Sequence, residues 1–340
     1  MTKTPRVAMP SAPARHGDDL DDAVRILRAG GLVAFPTETV YGLGADAANP
    51  EALHRLYSVK GRPASHPVIV HLATGDRDAV ARWATGLPPA ARALADACWP
   101  GPLTLVVPRA EGVPEEVTGG SATIGLRVPD QPVAQRLLAR FGGGVAAPSA
   151  NRFGRVSPTT AGHVRADLGT EVDLVLDGGP CRVGLESTVV DCSLPGPLIL
   201  REGAVTRDDI ESILGHPVEL RTDGSRPAPG TLASHYAPRA RVVLVTDAEI
   251  RSRAAQLTAA GQRVGVLTQQ HAQEFPAGVE ILEAPVDLDE LAHALYGLLR
   301  DADVRHLDVL LAVPPPSLGI GAAVADRLTR AAGPSPQPGR

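Results

Sequence analysis

The 340-residue chain carries 33 Lys and Arg against 38 Asp and Glu, a formal charge of -5, with 44% hydrophobic and 21% charged residues. That length predicts two domains with ample buried core, and the composition fits a soluble globular protein. The acidic balance counts against bulk nucleic-acid binding, no run approaches the ~18 apolar residues of a membrane span, and "MTKTPRVAMPSAPARHG" lacks the apolar core of a signal peptide.

By composition, residues 1–16 read as a disordered leader. "DDLDDAVRILRAGG" offers Asp caps, apolar residues at helical spacing and a Gly stop, hence a helix over 18–31. "LVAF" predicts a short buried strand, and "PTETVYGLGADA" after it a turn-rich loop. "PEALHRLYSVKG" is a helix opened by Pro and closed by Gly. A strand "PVIVHLA" follows, then a helix "LPPAARALADACW". "LTLVVPR" and "ATIGLRVP" read as adjacent strands of a hairpin, followed by a helix in "QPVAQRLLARFGGG". "GVAAPSAN" is a strand ending in a polar loop; "VDLVLDGG", "STVVDCS" and "PLILREG" are further strands before the helix "TRDDIESILG". Strands and helices interspersed without clean alternation over 17–218 predict a twisted, mixed α/β sheet.

At 219–240 the apolar period breaks in a Pro, Gly and Ser-rich linker. Regular alternation over 241–332 then predicts a smaller, parallel, Rossmann-like α/β domain, and the composition of 333–340 a disordered tail. Cys98, Cys181 and Cys192 are an odd number without metal-ligand spacing, which predicts reduced, buried thiols in a cytoplasmic protein.

Four loops, "FPTETVYGLG", "VKGRP", "APSAN" and "LESTVVD", are dense in hydroxyls and isolated charges, and several follow strand ends, where open α/β sheets bind ligands. Each alone is also readable as a turn or cap. Lys60 is one of two lysines in the chain, kept two residues before Arg62. A compact ammonium beside a planar guanidinium suits a polyphosphate, and no P-loop sequence is present. Ser149 and Asn151, the latter one of two asparagines, offer further donors, although a strand-end turn explains them as well.

"PTETVYGLG", "KGRP", "HPVIVHL", "WPGPLTLVV", "LRVP", "APSAN", "SPT", "GLESTVVD" and "ILREG", in this order and spacing, resemble the threonylcarbamoyl-AMP synthases, the YrdC-like family. "HYAP" and "GIG…DR" are similar to its longer, two-domain members. The resemblance implies an L-threonylcarbamoyladenylate synthase, a nucleotidyltransferase. It would convert L-threonine, bicarbonate or CO2 and ATP into threonylcarbamoyl-AMP and pyrophosphate, for threonylcarbamoyladenosine in tRNA. It further implies a basic cavity, Mg²⁺ carried by ATP with no protein metal cage, and a downstream tRNA-modifying transferase as partner. Direct tRNA binding stays open.

Carried onto this chain, the resemblance assigns Lys60, Arg62, Ser149 and Asn151 to the reacting phosphates, with His66, Thr123, Ser157, Arg201, His235 and Tyr236 also on ATP. It assigns Thr39, His71, Arg127, Ala147 and Ser187 to threonine. Without it, Arg127 reads as a solvent-facing strand arginine and His71 as a structural histidine. Three positions depart from the family pattern. His66 stands where Asn is usual, Glu202 replaces Pro beside Arg201, and "TLAS" precedes "HYAP". Two other readings remain at this stage: an RNA-binding module, against which the acidic charge and scarce aromatics count, and carbamoyl transfer in cofactor maturation, whose usual accessory modules are not recognisable.

Overall fold

The structure, a computed structural model, describes residues 18–221, 236–268 and 275–333. The first part of the chain runs α1 (Asp18–Arg28), β1 (Val33–Phe35), β2 (Gly42–Asp46), α2 (Pro50–Lys60), β3 (Ile69–His71) and α3 (Arg77–Ala81). Next come α4 (Pro89–Cys98), β4 (Leu103–Pro108), α5 (Glu115–Thr118), β5 (Thr123–Arg127), α6 (Pro132–Phe141) and β6 (Val145–Ala146). After these follow α7 (Ala161–Leu168), β7 (Leu174–Val175), β8 (Thr188–Asp191), β9 (Leu198–Arg201), α8 (Arg207–Leu214) and β10 (Glu219–Leu220).

These strands form a ten-stranded sheet in the order β10-β9-β8-β4-β5-β3-β6-β2-β1-β7. It is mixed: β3 lies parallel to β5 but antiparallel to β6, and β4 pairs antiparallel with β5, as the hairpin reading predicts. The helix α5 interrupts that hairpin, so the connection is no tight turn.

Most elements begin and end where their residues dictate. Asn49 accepts hydrogen bonds from the amides of Glu51 and Ala52 at the start of α2, Pro50 sits in its first turn, and Gly61 closes it at φ 63°. One expectation is corrected. "GLGAD" is strand β2 rather than loop, antiparallel to β1. Its glycines serve close packing: a Cβ on Gly44 would stand 2.9 Å from both Phe35 and Val145. Helix α7 is a second difference. Thr160 caps it through the His163 amide, and only Ala161, Val164 and Leu168 are buried, too thin an apolar stripe to register in the sequence.

The second sheet contains β11 (Arg241–Leu244), β12 (Val264–Thr268), β13 (Glu280–Glu283) and β14 (Val309–Ala312), with helices α9 (Ile250–Ala259), α10 (Leu288–Val304) and α11 (Ile320–Ala331). Its order is β11-β14-β12-β13 and every pairing is parallel. Strands β12 and β14 are buried along their whole length, as helix cover on both faces requires.

The two sheets share a core. Val40, Val156, Leu185 and Tyr236 pack in one cluster with Leu291, Leu295, Tyr296, Val324 and Leu328 of α10 and α11. No helix among the described residues is long and apolar enough to cross a membrane. Cys181 and Cys192 are buried free thiols, whereas Cys98 is only half-buried.

Candidate active site

The loops singled out by composition do converge. Thr39, His71, Arg127, Ala147 and Ser187 line a single pocket with Arg62, Ser149, Arg201 and Tyr236, and with Glu186 between them. Its walls come from the β1–β2 loop, the ends of β3, β5 and β6, the segment before β8, and the chain just after residue 235. Parallel β3 and β5 put His71 opposite Arg127, which is how two residues 56 apart in sequence meet.

Arg127 is buried and held from three sides. Nε donates to the Gly101 carbonyl (3.3 Å), Nη1 to Thr39 Oγ1 (2.9 Å), and Nη2 lies 2.7 Å from Glu38 Oε1. The last contact is an ion pair without hydrogen-bond alignment, for neither Glu38 oxygen receives a donor among the described residues. One Nη1 and both Nη2 hydrogens thus stay available, enough for a bidentate carboxylate. His71 stands edge-on to Phe35 (6.0 Å, 88°), its Nδ1 buried without a partner among the described residues. Burial, reinforced by Arg127, drives its pKa down to about 3, so the ring is neutral near pH 7.

Arg201 fastens the opposite wall. Its Nε and Nη2 donate to the Ser187 carbonyl (3.0 and 2.9 Å), and Nη2 also to Ser187 Oγ (3.1 Å). Ser187 Oγ lies 2.7 Å from Thr104 Oγ1. Glu202 does not turn against this arrangement: its carbonyl accepts from Arg327, and its carboxyl is pushed up by burial and by Asp326.

Arg62 donates to the Pro67 carbonyl (2.8 Å) and lies 5.8 Å from the Phe153 ring centre. Burial lowers its pKa to about 10. Lys60 behaves differently from the phosphate-gripping lysine its position implies. It is 2% exposed, donates to the carbonyls of Ser149 (2.5 Å) and Asn151 (2.6 Å), and does not line the pocket. Burial, then Arg62, lowers its pKa well below the ordinary lysine range. Asn151 spends its amide on the carbonyls of Arg152 and Arg155, while Oδ1 is buried without a donor among the described residues. Lysine and asparagine therefore shape the loop that presents Ser149.

Ser157 lies behind the wall, donating to Glu186 Oε1 (2.5 Å). Thr123 pairs with Ser121 Oγ (2.9 Å), and His66 packs on Phe153 (5.7 Å); neither lines the pocket. His235 lies outside the described residues. Tyr236 is 1% exposed, with a left-handed φ of 63° that a non-glycine residue adopts at a cost.

The sequence reading missed Glu38, Glu186, Tyr296 and Arg327. Glu38 was visible as the sole acid of "PTETVYGLG", Glu186 as the first of the two acids of "LESTVVD", and Arg327 as the last residue of "GIG…DR". Burial works against a charged Glu186, yet Arg327 and Arg201, with the hydroxyls of Ser157 and Tyr296, hold its pKa at about 2. The two carboxylates are thus answered by Arg127 and Arg327, while Arg62 and Arg201 add further guanidinium charge to the pocket lining. Among the described residues, no three His, Cys, Asp or Glu side chains converge as a metal site would require.

Comparison with known proteins identifies the family. The Sua5/YciO/YrdC family model, described as telomere recombination, matches residues 25–203, and one for the threonylcarbamoyl-AMP synthase C-terminal domain matches 205–333. The threonylcarbamoyl-AMP synthase of Pyrococcus abyssi is 39% identical over 322 residues, covering 92% of this chain and 93% of its own. That of Bacillus subtilis is 38% identical, with 92% of each chain covered. The crystal structure of P. abyssi Sua5 complexed with L-threonine superposes with a TM-score of 0.86 at 37% identity, over 92% of this chain and 94% of that one. The chain belongs to the threonylcarbamoyl-AMP synthase family, in the form that carries both domains.

Proposed function

We propose that this pocket joins L-threonine, bicarbonate and ATP into threonylcarbamoyl-AMP and pyrophosphate, supplying threonylcarbamoyladenosine synthesis on tRNA. The supporting observation is the convergence of Thr39, His71, Arg127, Ala147 and Ser187 with Arg62, Ser149 and Arg201 around one cavity. Arg127 takes the threonine carboxylate with its free Nη hydrogens, Glu38 and Thr39 fixing its plane. Neutral His71 accepts a hydrogen bond from the substrate without adding a cation.

The chemistry begins when the threonine nitrogen and bicarbonate form a carbamate with loss of water. A carbamate oxygen then attacks the α-phosphorus of ATP; the new P–O bond forms as the bond to pyrophosphate breaks. Such a transfer calls for positioning and charge neutralisation more than for a protein nucleophile. Arg62 and Arg201 supply fixed positive charge, and Ser149 and Ser187 supply hydroxyls. Because Glu38 and Glu186 face arginines, these residues fit Mg²⁺ held by the phosphates of ATP and not by the protein. When bound, Mg²⁺ neutralises phosphate charge. We place the enzyme in the cytoplasm, handing its labile mixed anhydride to a tRNA-modifying transferase.

The decisive assay incubates the purified protein with ATP, Mg²⁺ and bicarbonate, with and without threonine, and follows pyrophosphate. Release that depends on threonine and needs no RNA is expected. Release indifferent to threonine removes the substrate assignment.

A further inference from the structure

The small domain reaches the pocket wall through a buried polar cluster. Glu186 Oε2 accepts from Arg327 Nε of α11 (3.0 Å) and from the Tyr296 hydroxyl of α10 (2.7 Å). Arg327 is 0% exposed, donates through Nη2 to the Glu202 carbonyl (2.9 Å), and stands 5.2 Å from the centre of the Tyr236 ring. Tyr236 stacks on Tyr296 at 5.7 Å. Each of these contacts ends on pocket-lining residues, Glu186 and Tyr236, or on the strand end that carries Arg201.

We propose that Arg327 and Tyr296 are positioning residues for catalysis: acting through Glu186, they fix the Glu186–Ser187 segment and the Tyr236 ring that close the pocket. This rests on the functional reading above. Domain cohesion alone does not call for such a cluster, because Leu185, Leu291, Leu295 and Leu328 already join the two sheets by apolar packing. A buried ion pair is a poor glue, often replaceable by hydrophobic residues without loss. What it supplies is direction: a fork donating to two fixed acceptors permits one placement of the segment.

The backbone around that segment has little room to move. A Cβ on Gly203 would stand 2.6 Å from the Glu186 carbonyl, and one on Gly184 2.6 Å from His293 Cα of α10. Within the linker, Ala237 donates to the Gly154 carbonyl (3.0 Å), so Tyr236 is held by the large domain through its neighbour's backbone and by the small domain through its ring. Five side chains face Glu186 with charge or hydroxyl: Arg327, Tyr296, Ser157, Arg201 and Tyr236.

A double-mutant cycle on the full chain tests the assignment, with Tyr296→Phe as the mild variant and Arg327→Lys as the charge-retaining one. Because both act through one carboxylate, the double variant should lose no more kcat/KM than the worse single variant, about tenfold, a coupling typical of residues in one network. Arg327→Gln should also give kcat/KM an acid limb that the parent lacks, since Glu186 then keeps its burial without its principal cation. Additive losses, losses that track Tm alone, or unchanged kinetics in all variants would each overturn the proposal. ATP affinity by calorimetry provides an independent readout. A parent that binds ATP yet shows no threonine-dependent pyrophosphate sinks only the functional reading, because coupling is still measured in the ATP Kd.

Discussion

Lys60 Nζ lies 2.6 Å from the carbonyl of Asn151 and 2.5 Å from that of Ser149, bracing the end of α2 against the loop after β6. The lysine is thus a builder of the pocket before it is a ligand. Lys60→Met leaves the buried Asn151 carbonyl and the half-buried Ser149 carbonyl without this donor, and a buried unsatisfied acceptor costs about 1–3 kcal/mol. Thermal unfolding should shift down by roughly 2–4 °C per kcal/mol, together with loss of activity. An unchanged Tm alongside lost activity would assign the lysine to substrate alone.

Arg127→Lys keeps the charge and discards the fork. A charge-assisted bidentate pair contributes about 1.5–3 kcal/mol, so the threonine KM should rise roughly 10- to 100-fold while the ATP KM holds. Initial rates at varied threonine and varied ATP separate the two. Equal changes in both constants would mean that Arg127 does not hold the amino acid.

Acid should destabilise the fold in two overlapping steps. His71 has a folded pKa of about 3 against 6.5, and Glu186 of about 2 against 4.5. In each case the unfolded chain takes up a proton that the native state refuses. Stability is therefore full above the unfolded values and is lost as pH falls through these windows. Glu186 accounts for on the order of 3 kcal/mol. Urea titrations at descending pH measure this, and His71→Asn should flatten the upper step. A parent whose midpoint does not change between neutral pH and pH 4 would contradict the His71 assignment, and one that loses nothing further between pH 4 and pH 3 would contradict that of Glu186.

Gly203→Ala inserts a methyl 2.5 Å from the Thr188 nitrogen and 2.6 Å from the Glu186 carbonyl, both backbone atoms with no flexible end to yield. Overpacking of this kind costs about 1–3 kcal/mol and would shift Ser187. Lower activity and lower Tm are expected together, whereas Gly112→Ala, at an open turn with φ 81°, should lower Tm without touching kinetics.

The sequence alone determined most elements, because their signals are local. Asn49, Pro50 and Gly61 delimit α2 within one stretch of chain, and the alternation after residue 240 sufficed for a parallel sheet. Motif resemblance also carried the pocket's membership for Thr39, His71, Arg127, Ala147 and Ser187, since each lies in a short string at a strand end. Tertiary structure decided what local signals do not hold. Gly42 and Gly44 read as turn residues until Phe35 and Val145 press on β2 from elsewhere in the sheet. Whether Lys60 faces a ligand or a carbonyl depends on a loop 89 residues away. Arg327 and Glu186, 141 positions apart, become partners only when both are withdrawn from water, because desolvation makes an unpaired charge intolerable and so selects its partner by proximity in space, not in sequence.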